Sequence, residues 1–318
     1  MRTVDIHTHG IGGYDTGDST SEAILKMAEI HGAHGVDVII PTIYSAPIHV
    51  MRENMAAVKK AMERQGSGSG ERRAESRGQG SANSKFSILN SKFATILGVH
   101  LEGPFLNPSR CGALDASSFL KPGEAVLKKL TEGFGDMVKI ITIAPELEGS
   151  LKLIKQARGM GINVSMGHSD ATYAKTEAGY NAGARGITHI FNAMRSIHHR
   201  EPGIAGFGLM NRGIFIEVIA DPYHLHPETL MLIFKIKNPD KIILISDSTK
   251  DTPGPSPSAH NRFKVNTVLP NSAVTLKGGV MTVTESAHRL IDMGFDEEIV
   301  LKCITENPAT YLGISYEL

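Results

Sequence analysis

The chain has no tryptophan and only two cysteines, Cys111 and Cys303, in 318 residues. Two thiols cannot build a disulfide framework, so the expected compartment is a reducing cytoplasm. Net charge is missing as well, with 33 Lys plus Arg against 33 Asp plus Glu. That balance excludes the broad basic surface that drives nucleic-acid binding, and no Lys/Arg-rich run suggests a local one. No stretch approaches 18 consecutive apolar residues, which argues against a helical membrane span. The few polar residues before His7 give no expectation of a secretory leader. Gly10, Gly12 and Gly13 lack the helix start that a dinucleotide-binding loop needs. What the chain has in excess is histidine, with 14 residues.

Short apolar runs rich in Val and Ile, bounded by Gly, Pro or Asp, read as eight strands at 4–9, 36–42, 96–102, 138–144, 163–168, 186–191, 215–220 and 242–247. Helical periodicity fills intervals between them, as at 21–34, 48–64, 150–160, 172–182 and 227–237, and returns at 284–312. Near-continuous apolar strands alternating with helices indicate a parallel sheet covered by helices. Eight such units favour an α/β fold of the (β/α)8 TIM-barrel type over an open doubly wound sheet. A barrel of about 250 residues plus insertions also accounts for the length as one domain over 1–318. Residues 65–83 are dense in Gly and Ser and nearly devoid of apolar side chains, so a flexible insertion is expected over about 65–92. The Pro-rich stretch 248–270, straight after the last strand, is expected to be a flap.

In such a barrel the chemistry sits at the C-terminal ends of the strands, and the reactive residues fall there. The first strand ends in His7-Thr8-His9, the third in His100-Leu101-Glu102, the fifth at His168, the sixth at His189 and the eighth at Asp247. Taken singly, each has an ordinary structural explanation. A strand-end histidine is usually a hydrogen-bonded core residue, and a strand-end Asp usually caps the next helix. Together, four histidines and a carboxylate at one barrel mouth would be costly to desolvate side by side. With divalent cations they form a ligand set suited to hydrolysis, and Zn, Fe and Mn all fit. His7 and His9 can hold one ion, His168 and His189 a second, with Glu102 between them and Asp247 placed as general base. One ion or two both remain open.

The motifs that carry a family likeness are Asp5-Ile6-His7-Thr8-His9-Gly10, Gly98-Val99-His100-Leu101-Glu102-Gly103-Pro104-Phe105, Gly167-His168-Ser169-Asp170 and Thr188-His189-Ile190-Phe191-Asn192-Ala193-Met194. His199-Arg200-Glu201-Pro202-Gly203, Ala220-Asp221 with His224, Ile245-Ser246-Asp247 and Glu306-Asn307-Pro308-Ala309 follow. In this order they resemble the N-acetylglucosamine-6-phosphate deacetylase family of the amidohydrolase superfamily. The resemblance implies a cytoplasmic hydrolase that splits the acetamide of an N-acetylated sugar phosphate. It implies Glu102, His168 and His189 as main metal ligands, with His7 and His9 for a further ion. It also implies Asp247 as catalytic acid/base, His224 at the substrate carbonyl, Asn192 and Ala193 at the sugar phosphate, and Arg200 at the phosphate of the neighbouring subunit in a homodimer. The family's small β-sandwich is expected to be absent, leaving a bare barrel. Three positions depart from the family pattern, at Leu114, Pro222 and Gly279. Two other readings fit the same residues: another hydrolase of the superfamily, acting on a different N-acyl amine, a cyclic amide or a base, and a non-catalytic relative that binds metal or sugar phosphate.

Overall fold

The computed structural model describes residues 1–72, 93–254 and 276–314. Eight strands run parallel and pair in chain order: β1 Val4–Thr8, β2 Val38–Ile43, β3 Val99–Glu102, β4 Val138–Ile143, β5 Asn163–Met166, β6 Gly186–Ile187, β7 Phe215–Ile219 and β8 Ile242–Ile245. Just beyond β8, Asp247 donates its N–H to the His7 carbonyl at 2.9 Å and His9 donates to the Ser248 carbonyl at 2.7 Å, which closes the ring back onto β1. The expected (β/α)8 barrel is therefore present.

Among the described residues, ten helices surround it: α1 Ser21–Ala33, α2 Ile48–Arg72, α3 Glu124–Thr131, α4 Ser150–Gly159, α5 Tyr173–Ala182, α6 Gly203–Met210, α7 Pro227–Ile236, α8 Val283–Asp292, α9 Glu297–Ile304 and α10 Glu306–Leu312. Local chemistry starts several of them. Thr20, Thr172 and Asp296 accept backbone N–H groups as N-caps, and Thr282 with Glu285 forms a reciprocal capping box. No helix among the described residues is long and apolar enough to cross a membrane.

Strand alternation sorts the side chains into two sets. Ile141, Ile143, Val164, Ile187, Ile216, Val218 and Leu244 join the helices in one large core. Ile140, Phe215, Ile219, Ile243 and Ile245 pack in a second, smaller cluster with Tyr311 of α10. Above this cluster the barrel interior turns polar. Thr142 Oγ1 contacts His100 Nε2 at 2.8 Å and Thr188 Oγ1 at 2.9 Å, and Thr188 donates to Ser165 at 2.8 Å.

Two of the differences from the sequence reading concern where elements end. The segment expected to begin a flexible insertion is helical at its start, because α2 continues through Arg72. Gln65 explains why: its side chain bonds the Ala94 carbonyl at 2.8 Å and the Ile96 amide at 3.0 Å, tying the helix to a short strand, Thr95–Ile96, beside β2. The rest of that segment, 73–92, lies outside the described residues, as does the expected flap from 255 on. The flap's described beginning is bound to the loop after β1, through Gly12 N–H to Thr252 O and Gly13 N–H to Lys250 O, both at 2.8 Å. The second difference is that β6 is short. It ends at Ile187 instead of running to Phe191, because His189 and Phe191 take left-handed φ values of 29° and 75° that no strand accommodates.

Candidate metal centre

Six of the residues expected at the mouth converge there. Glu102, at the end of β3, is 3% exposed and sits in the middle. Its Oε1 lies 3.0 Å from His168 Nε2 and 3.1 Å from His189 Nε2, and its Oε2 lies 3.2 Å from His9 Nε2. His7 Nε2 is 3.3 Å from His9 Nε2 and 3.3 Å from Asp247 Oδ1, while His9 Nε2 is 3.5 Å from the same oxygen. Two ligand groups result, His7–His9–Asp247 and Glu102–His168–His189, with Glu102 facing both.

The local backbone explains how strand ends aim these groups at one point. His168, His189 and Asp247 all sit at positive φ, 45°, 29° and 48°. For non-glycine residues such conformations cost on the order of 1–3 kcal/mol each and persist where the surroundings impose them. Hydrogen bonds then fix the imidazole rings. His9 Nδ1 faces the Thr42 carbonyl at 3.1 Å and His168 Nδ1 the Arg110 carbonyl at 2.9 Å. With those Nδ1 protons donated, the Nε2 lone pairs point into the centre. Tyr44 stacks flat on His9, ring centroids 3.8 Å apart, and its hydroxyl donates to Asp15. Asp170 grips Arg110 at 2.6 and 2.9 Å and also binds Arg195, which steadies the loop that presents the Arg110 carbonyl.

The electrostatics favour positive charge at this spot. Burial alone would pull His9 and His189 down and push Glu102 up. The opposite happens: hydrogen bonds to Asp247 and Glu102 lift His9 to about 10, Glu102 lifts His189 to about 9, and the histidines hold Glu102 well below its usual range. A divalent cation meets the same demand with neutral imidazoles and ionised carboxylates. Converging Nε2 atoms backed by Nδ1 acceptors, around buried carboxylates, fit such an ion.

The remaining expected residues lie around this cluster. His224 donates from Nδ1 to Asp221 at 2.9 Å, and Asp221 also accepts the amides of Tyr223, His224 and Val280. Asn192 and Ala193 form the turn after His189. The Ala193 carbonyl accepts the Ser169 amide, and a Cβ built on Gly112 would lie 3.2 Å from Ala193 and 3.6 Å from His168. Arg200 is exposed, in a turn closed between His198 and Glu201. Neither His224 nor Arg200 bonds to the cluster among the described residues.

Two members escaped the sequence reading. Glu217, in the middle of β7, meets His7 Nδ1 at 3.0 Å. Burial pushes its carboxyl up to about 8 and His7 well below the usual range, a cost of burying charge that a cation at His7 Nε2 would offset by keeping Glu217 ionised. His100 packs edge-on against His7, ring centroids 4.6 Å apart. A lone acid inside the apolar run Phe215-Ile216-Glu217-Val218-Ile219 was the available signal for the first. His100 stood beside Glu102 in a recognised motif without a role.

Fold and centre together define a parallel barrel with a buried His/Glu/Asp cluster suited to a divalent metal at the C-terminal mouth of its strands. The amidohydrolase family profile matches residues 3–318, and the chain belongs to that family. Its relatives include an N-acetylglucosamine-6-phosphate deacetylase of Bacillus subtilis (strain 168), 32% identical over 324 residues that cover 98% of this chain and 74% of the relative. An N-acetylgalactosamine-6-phosphate deacetylase of Escherichia coli O157:H7 is 27% identical over 320 residues, covering 98% and 77%. Among solved structures, a point mutant of N-acetyl-D-glucosamine-6-phosphate deacetylase from Mycobacterium smegmatis, in complex with N-acetyl-D-glucosamine-6-phosphate, superposes with a TM-score of 0.78. It is 25% identical, with 98% of this chain and 77% of that chain covered.

Proposed function

We propose that the protein is a metal-dependent deacetylase that hydrolyses the acetamide of an N-acetylated amino sugar 6-phosphate, with N-acetylglucosamine-6-phosphate as first substrate. The observation that carries this reading is the convergence of Glu102, His168 and His189 with His7, His9 and Asp247 at one barrel mouth. The deacetylase relatives supply the substrate class. The metal is read as Zn, with Fe and Mn compatible with the same donors, and two ions are assigned to the two ligand groups.

A divalent cation held by these residues would supply polarisation of an amide carbonyl and a water competent as nucleophile near neutral pH. The chain's own residues do the rest. Asp247 accepts the proton of the attacking water and returns it to the departing amine nitrogen, as general base and then general acid. His224 faces the carbonyl oxygen through Nε2 and polarises it, and the bond from its Nδ1 to the Asp221 carboxylate holds the ring in place. The turn at Asn192 and Ala193 lies beside His168 and receives the sugar phosphate. Arg200, exposed on its own subunit, reaches the phosphate bound by a second copy in a homodimer, where a planar guanidinium suits two phosphate oxygens. Products are acetate and the amino sugar phosphate. Residues 1–318 are read as one catalytic barrel, and the two free cysteines accord with a reducing cytoplasm.

The test is acetate release from N-acetylglucosamine-6-phosphate, N-acetylgalactosamine-6-phosphate and unphosphorylated N-acetylglucosamine, with metal analysis of the same sample. Release from a phosphorylated sugar, dependent on a divalent ion, is expected. Binding of sugar phosphate without acetate release would instead favour a non-catalytic relative. Sedimentation equilibrium checks the shared Arg200, which a monomer at working concentration contradicts.

A further inference from the structure

We propose that Glu217 is a positioning residue that creates the second metal position, by committing His7 to bind through Nε2. This rests on the reading that the centre takes divalent cations.

Three of the four cluster histidines have an acceptor at Nδ1. For His9 and His168 it is a backbone carbonyl, of Thr42 and Arg110, which no substitution removes. For His7 alone it is a side chain, the Glu217 carboxylate at 3.0 Å. His7 is fully buried and Glu217 is 2% exposed, so solvent offers no ready substitute acceptor. With the proton held on Nδ1 by Glu217, the lone pair of Nε2 faces His9 Nε2 and Asp247 Oδ1, each 3.3 Å away.

A packing role does not explain this residue. Phe215 and Ile219 occupy the same face of β7 and pack with the barrel's inner apolar cluster. An apolar side chain between them would avoid burying a carboxylate, one of whose oxygens, Oε1, is buried with no hydrogen-bond partner. Glu217, His7 and His100 are also close enough to suggest an ion site of their own. Both nitrogens of His100 are already engaged, Nδ1 with the Ile6 carbonyl at 3.2 Å and Nε2 with Thr142 Oγ1 at 2.8 Å. The geometry is that of a carboxylate–histidine–metal relay, in which the outer carboxylate fixes the ring and raises its basicity.

The test titrates Zn2+ into metal-stripped wild type, Glu217→Gln and Glu217→Leu, with the bound ratio measured on the same samples. Wild type is expected to take two ions per chain. Glu217→Gln keeps an acceptor without the charge and should weaken one ion by about 10-fold; Glu217→Leu should weaken that ion by about 100-fold or more. The other ion, on Glu102, His168 and His189, keeps its wild-type affinity in both variants. Far-UV circular dichroism of the stripped proteins verifies folding, and the isosteric Gln variant carries the test if Leu does not fold. Two ions of unchanged affinity in the variants would overturn the proposal. So would equal weakening of both ions, or a wild type that takes only one. A wild type that takes no divalent ion would overturn the metal reading itself, a result distinct from the others.

Discussion

Acid should lower the stability of wild type relative to His31→Leu. His31 lies in the last turn of α1, fully buried, with Nε2 3.0 Å from the hydroxyl of Thr8, the residue between His7 and His9. Its Nδ1 is buried without a partner. A helix C-terminus favours a protonated histidine, but burial wins, and with the neighbouring His34 it lowers His31 from 6.5 to about 3. Between those values the unfolded chain carries a proton at this residue and the folded chain does not. Stability from His31 is therefore complete above 6.5 and is lost as pH falls toward 3. At a pH two below 6.5 the loss is about 2.7 kcal/mol. The leucine variant has no such group; near pH 7.5 it lacks the bond to Thr8 but also the unpaired Nδ1, effects of similar size and opposite sign, so the two proteins should differ little there. Wild type should then fall by about 2.7 kcal/mol relative to the variant on going to pH 4.5. With no tryptophan to follow, urea unfolding is read by far-UV circular dichroism, in chelator so that ligand loss does not intrude. A difference between the two proteins that stays constant from pH 7.5 to 4.5 would refute the reasoning.

Asp247→Asn should cut acetate release by about 100-fold or more, since one side chain serves both proton transfers, while the ion on Glu102, His168 and His189 stays bound; substantial residual activity would contradict that role. Arg200→Ala should lower kcat/KM far more on phosphorylated sugars than on their unphosphorylated counterparts, and equal losses would remove the phosphate assignment. Lys237, 2% exposed, donates to the carbonyls of Gly208 at 2.7 Å and Asn211 at 2.6 Å, at the end of α6. Lys237→Met leaves both acceptors unpaired and should cost about 2–4 kcal/mol in thermal or urea unfolding; a cost under about 1 kcal/mol would mean they find other donors.

Much of the fold was legible because its signal is local. The apolar runs of β1, β4, β7 and β8 and the periodic stretches of α1, α4, α5 and α7 lie within a residue or two of where they were read. Two helices carry only a weak local signal. α3 is one short amphipathic stretch, and α6 reads Gly203-Ile204-Ala205-Gly206-Phe207-Gly208-Leu209-Met210, poor in helix propensity. Its glycines belong to packing: a Cβ on Gly206 would lie 2.4 Å from Pro202 Cβ, and one on Gly208 2.8 Å from Ile187 Cδ1. Close approach to the barrel, a tertiary matter, decides this helix.

The sequence by itself determined that strand ends carry His7, His9, Glu102, His168, His189 and Asp247, because period-two alternation and turn residues are written locally. From that followed the barrel and the expectation of a metal centre. Only the tertiary structure decided which nitrogen each imidazole turns inward. That choice depends on acceptors far away in the chain, such as the Thr42 and Arg110 carbonyls and Glu217, 210 positions from His7. Hydrogen bonds at such separations leave no periodicity behind, so a buried acid in an apolar strand was their one visible trace.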